Sequence, residues 1–123
     1  MNQSERRIYL IDRLLMEKPE YSRINVPGTA MEQRRLLRSL MNVREAAPAD
    51  REFMAVQDSY LRGRAVEKGI TDIRDLEPVM QDVYLWQGDI TTLRCGAIVN
   101  AANSGMTGCY VPCHGCIDNP ILN

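Results

Sequence analysis

The stretch Trp86–Asn119 decides how this chain is read. It runs W-Q-G-D-I-T at 86–91, A-I-V-N-A-A-N at 97–103 and G-C-Y-V-P-C-H-G-C-I-D-N at 108–119. All 4 cysteines and the sole histidine lie between Cys95 and Cys116, and Cys109, Cys113, His114 and Cys116 crowd into one short loop. Thiolate and imidazole are the ligands a borderline-soft zinc ion takes in tetrahedral geometry; three protein ligands leave a position open for chemistry, and four close the site. Cys109, His114 and Cys116 can supply three ligands from this loop. Cys113 is a possible fourth, but it adjoins His114, and neighbouring side chains on an extended loop diverge. The bland alternatives are disulfides or ordinary buried thiols, and a closed structural zinc knuckle. The first is disfavoured by a histidine inside the cluster and by the lack of a secretion signal. An ordinary zinc ribbon needs a second ligand pair further along, which the sequence does not supply.

The chain has 123 residues, 45% of them hydrophobic, enough for one domain with a core. A net charge of −1 gives no electrostatic case for nucleic acid or for an anionic membrane. No apolar run approaches spanning length, so a soluble cytoplasmic protein is expected. Charge is unevenly spread. Residues 81–123 carry only Asp82, Asp89, Arg94 and Asp118, whereas residues 1–80 carry the rest. This divides the chain into a helical N-terminal extension, 1–80, and an apolar part, 81–123, built of strands and a site loop.

Upstream, a first helix is expected from a Ser4 cap to about Lys18, with Ile8, Ile11, Leu14 and Leu15 on its apolar face and Pro19 ending it. A second is expected over Ala30 to Val43, with Leu36, Leu37, Leu40 and Met41 inward. Arg34, Arg35 and Arg38 then form a solvated face or pair with Glu32. A third follows an Asp50 cap, buries Phe53, Met54, Val56, Tyr60 and Leu61, and stops at Gly69. Thr71–Leu76 reads as a short helical turn. From Val83 the period changes: Val83–Trp86 and Cys95–Val99 read as strands, with a turn or short helix at Thr91–Arg94 between them. Asn100 and Asn103 stand at the carboxyl end of the second strand, where α/β sheets bind ligands.

Q-G-D-I-T followed about ten residues later by A-I-V-N-A-A-N resembles the opening of the macrodomain, a three-layer α/β/α module that binds ADP-ribose. The loop G-C-Y-V-P-C-H-G-C-I-D-N resembles that of the zinc-containing bacterial macrodomains that act as protein-ADP-ribose hydrolases, and the charged helical lead-in resembles their N-terminal extension. The resemblance implies that Asp89 accepts a hydrogen bond from the adenine amino group, and that the amide of Ile90 meets the adenine ring. It implies that Asn103 holds the distal ribose as a catalytic residue while Asn100 shapes the strand end. Cys109, His114 and Cys116 would then hold Zn2+ beside that ribose, as a Lewis acid or as an activator of water against a carboxylate–ribose ester. Asp118 would orient a ligand from outside the site, or cap a following helix. The implied partner is ADP-ribose or a mono-ADP-ribosylated protein. A non-catalytic ADP-ribose-binding module and a zinc-binding fragment without nucleotide function are the competing readings. Leu122 stands where the family has a histidine, and the family continues well beyond this point. The sequence is therefore expected to be an N-terminal portion, truncated before the diphosphate loop and impaired as an enzyme.

Overall fold

The computed structural model describes residues 1–106, 108–117 and 119–120. Asn2 and Glu5 begin the first helix, α1 (Gln3–Leu15), with a reciprocal cap. Asn2 Oδ1 accepts from the Glu5 amide at 2.8 Å, and Glu5 Oε2 accepts from the Asn2 amide at 2.9 Å. This pair, not Ser4, fixes the start; Ser4 lies inside the first turn. The helix stops at Leu15, short of Lys18, because Pro19 pushes Lys18 into extended backbone and opens a 3-10 turn over Pro19–Arg23.

Helix α2 (Ala30–Val43) is capped by Thr29 and α3 (Arg51–Lys68) by Asp50, whose carboxylate accepts from the Phe53 amide at 2.7 Å. α3 ends on Gly69 at φ 86°, a conformation open to glycine at little cost. α1 packs against both other helices. Their core is Leu10, Ile11 and Leu14 of α1, Leu37 and Leu40 of α2, and Phe53 and Tyr60 of α3, flanked by Val56 and Met41. Met54 and Leu61 are exposed rather than buried. The core residues of α3 recur as 53, 56 and 60, a single stripe, and 54 and 61, seven residues apart, fall together on one flank of it. The three helices leave Arg7 buried, donating from Nε to Gln33 Oε1 at 2.9 Å.

Beyond Gly69 the elements are short. β1 (Thr71–Asp72) pairs in parallel with β4 (Leu93–Arg94), and β2 (Pro78–Met80) pairs antiparallel with β3 (Val83–Tyr84) around Asp82, which takes φ 59°. Single 3-10 turns lie at Ile73–Asp75 and Ile90–Thr92. The chain is thus mixed: a helical N-terminal region, then short strands. The expected strand over Val83–Trp86 shrinks to Val83–Tyr84, and that over Cys95–Val99 does not form. A strand needs neighbours to satisfy its backbone and cover its side chains. Among the described residues nothing covers this one, and Val99 is 90% exposed. No helix among the described residues is long and apolar enough to cross a membrane.

Candidate metal centre

The loop from Gly108 to Cys116 is irregular, and two positions set its path. Gly108 takes φ 89°, and its carbonyl accepts from Asn103 Nδ2 at 2.6 Å, so Asn103 holds the loop's entrance. Further on, Pro112 and Cys113 form a tight turn closed by the His114 amide on the Val111 carbonyl at 3.1 Å. Proline second and a positive φ third, 54° at Cys113, is the pattern of a type II turn. The reversal returns His114 towards the start of the loop. Its Nδ1 lies 3.6 Å from Cys109 Sγ, and the ligand atoms of Cys109, His114 and Cys116 all lie within 4.8 Å of one another. In a tetrahedral site with bonds of about 2.0–2.3 Å, adjacent sulfur and nitrogen ligands are separated by about 3.5 Å. The Cys109–His114 edge already has that length. Two half-buried thiols and an exposed imidazole therefore suit a borderline-soft ion, and a carboxylate-seeking hard cation would find no oxygen among the three.

The other two cysteines are turned elsewhere. Cys95 Sγ lies 3.4 Å from the Ala97 carbonyl. Cys113 Sγ points to α2, 3.6 Å from Ser39 Oγ and 4.0 Å from the Arg35 carbonyl. No disulfide joins any of the four.

Residues expected to meet the nucleotide lie in two places. Asp89 caps the turn at Ile90–Thr92. Its Oδ1 accepts from the Thr91 hydroxyl at 2.6 Å and the Thr91 amide at 3.0 Å, and its Oδ2 faces Lys68 Nζ at 3.1 Å. The Thr91 hydroxyl is the main cause holding this carboxyl below its ordinary pKa, with the Thr91 amide and Lys68 adding to it. Ile90 follows, half-buried. Asp89, Thr91 and Cys113 share a cleft of about 550 Å³ with Arg34, Arg35 and Arg38 of α2 and Arg64 and Lys68 of α3. Arg35 and Arg38 are exposed, as expected of a solvated face, though with Arg34 they line this cleft; among the described residues none pairs with Glu32, which instead receives the Thr29 hydroxyl at 2.9 Å. Asn100 and Asn103 follow the unpaired segment; Asn100 is half-buried and Asn103 exposed. Asp118 and Leu122 lie outside the described residues.

Sequence reasoning passed over the residues that tie the loop to the helices. Asn42 and Asn119 are fully buried. Asn42 Oδ1 accepts from the Cys113 amide at 2.7 Å and from Asn119 Nδ2 at 3.0 Å. Asn119 Nδ2 also donates to the Val111 carbonyl at 3.0 Å, and Arg38 donates to Asn119 Oδ1 at 2.6 Å. A signal existed. Arg35, Arg38, Ser39 and Asn42 recur at helical spacing, a polar stripe beside the apolar one, and all four touch the loop or Asn119.

No family model matches the chain. It is 54% identical over 98% of its length to the "Protein-ADP-ribose hydrolase" of Treponema medium, and 43% identical over 92% to the protein of the same name in Staphylococcus aureus. A "Probable bifunctional ADP-ribose hydrolase/ADP-ribosyltransferase" of Fusarium oxysporum f. sp. cubense is 39% identical over 70% of the chain. The chain covers 48% and 42% of the first two proteins, so it spans about half the length of the curated relatives it matches.

Proposed function

We propose that the chain supplies the metal loop and the adenosine-side contacts of a protein-ADP-ribose hydrolase, the name carried by its 54% and 43% identical relatives. The reaction adds water across the bond between ribose and a modified acidic side chain, releasing ADP-ribose and restoring the side chain. The observation that carries this reading is the convergence of Cys109, His114 and Cys116 on one point of a loop whose entrance is held by Asn103. The proposed ion is zinc, which when bound there supplies Lewis acidity.

The roles of the chain's own groups follow from their surroundings. Asp89 stays ionised at neutral pH, because Thr91 and Lys68 stabilise its charge, and a carboxylate is the acceptor an adenine amino group needs. The Ile90 amide, next in the chain, is the proposed contact to the ring. Asn103, bonded through Nδ2 to Gly108, presents its carboxamide oxygen to a ribose hydroxyl beside the metal ligands, with Asn100 shaping the approach. A loop assembly with reduced thiols suits the cytoplasm. The macrodomain architecture is part of the same proposal, supported by the order of helical lead-in, short strands and metal loop.

The test is a chimera in which this chain replaces the matching segment of the Treponema medium protein. It should release ADP-ribose from a protein mono-ADP-ribosylated on acidic side chains, and Cys109→Ser should abolish release. Asp89→Ala should weaken ADP-ribose binding roughly tenfold, the worth of one hydrogen bond to a charged acceptor. A chimera that folds and binds metal but leaves the modified protein intact would refute the proposal.

A further inference from the structure

One buried carboxamide suspends the metal loop from α2. Asn42 Oδ1 receives the Cys113 amide at 2.7 Å, at the tip of the turn that brings His114 back to Cys109. The same oxygen receives Asn119 Nδ2 at 3.0 Å, and Asn119 passes the tether on to the Val111 carbonyl at 3.0 Å. The start of the Val111–His114 turn and its tip at Cys113 are thus fixed to a helix whose own position is set by Leu37 and Leu40 in the core. Cys113 needs such support, since φ 54° costs a residue with a side chain on the order of 1 kcal/mol. Asn42 Nδ2 is buried and donates to nothing among the described residues. The side chain is therefore used purely as an acceptor, which separates its role from generic packing.

We propose that Asn42 is a positioning residue for the metal loop: it fixes the turn at Cys113 so that Cys109, His114 and Cys116 are already gathered before an ion arrives. The consequence for metal rests on the reading of those three residues as ligands. Groups that orient ligands without touching the ion are typically worth 10–100-fold in metal affinity.

Two measurements on the 123-residue chain test this. Competition with a chromophoric chelator reads zinc affinity, and amide hydrogen exchange at Cys113 in the metal-free chain reads the tether itself. Asn42→Leu, close in size but without an acceptor, should lower zinc affinity about 10–100-fold and speed Cys113 exchange by roughly tenfold, with unchanged helical circular dichroism. Asn42→Asp, which keeps both bonds as an acceptor, should stay within about threefold of the unsubstituted chain in both readouts. If Asn42→Leu fails to fold, Asn42→Ala, which removes the same acceptor without the bulk of leucine, takes its place with the same expectations. Unchanged affinity and protection in the leucine variant, or an aspartate variant as defective as the leucine one, overturn the proposal. If the unsubstituted chain takes up no zinc, the metal reading falls by itself. Cys113 exchange then decides the tether alone: faster exchange in Asn42→Leu upholds it, and unchanged exchange overturns it.

Discussion

A cysteine is a ligand only where its sulfur reaches the common point, and Cys113 turns the other way, to Ser39 and Arg35 on α2. Its backbone, not its thiol, serves the site. On the proposed zinc reading, Cys113→Ser should therefore retain one zinc per chain, whereas Cys109→Ser and Cys116→Ser should lose it. Metal analysis of the purified variants decides, and zinc lost only from Cys113→Ser would mean that a different set of thiols binds. The sequence placed Cys113 beside His114 and so made divergence foreseeable; its partners on α2 were not, because they lie more than 70 residues away. A second prediction concerns Asp72, whose pKa is lowered to about 2, first by the Arg74 guanidinium and then by the Arg74 amide. A folded pKa below the ordinary 3.8 means that the contact stabilises fully above that value and is lost as pH falls towards 2. A carboxyl titration followed by NMR should show this midpoint near 2, and Arg74→Gln should move it up towards 3.8. A midpoint already near 3.8 in the unsubstituted chain would show that the Asp72–Arg74 fork does not persist in solution.

Among the elements, those with chemical punctuation were readable and those without it were not. Asp50 and Gly69 bracket α3, and the apolar period from Leu36 to Met41 places α2, so both helices carry their limits in local sequence. Gly69 allows a clean test. A Cβ there would meet nothing within 4 Å, yet φ is 86°. Any loss in Gly69→Ala therefore comes from backbone conformation alone, and should be about 1 kcal/mol in urea unfolding. No loss would mean that the end of α3 rearranges freely. The segment Cys95–Val99 has strand composition, but strand formation depends on partners elsewhere in space, and composition does not report whether those are present. The polar stripe of α2 failed for the opposite reason. Its period was visible, but a polar helical face reads as solvated until the loop it receives is known.

Over the whole molecule, charge and apolar exposure separate. The helical region carries most of the charges and the buried core, whereas Val79, Met80, Leu85, Ile98 and Val99 are exposed side chains of the region that follows. Leu85 is 81% exposed and Val99 90%, and β2 and β3 bury none of their residues. The low charge of this region was read from the sequence as burial on both faces. That inference holds for what such residues require and fails for what the described residues supply. Exposed apolar side chains beside short, open strand edges favour association between chains. Light scattering of the isolated chain at concentrations on the order of 100 µM should therefore show self-association. Replacing both Leu85 and Val99 with lysine should return it towards monomer, since each adds a charge where the side chain already faces water. The urea midpoint should barely change, because neither residue belongs to the Leu10–Tyr60 core. If the double variant associates as strongly as the unsubstituted chain, the contact lies elsewhere, and the charged helical surface becomes the place to look.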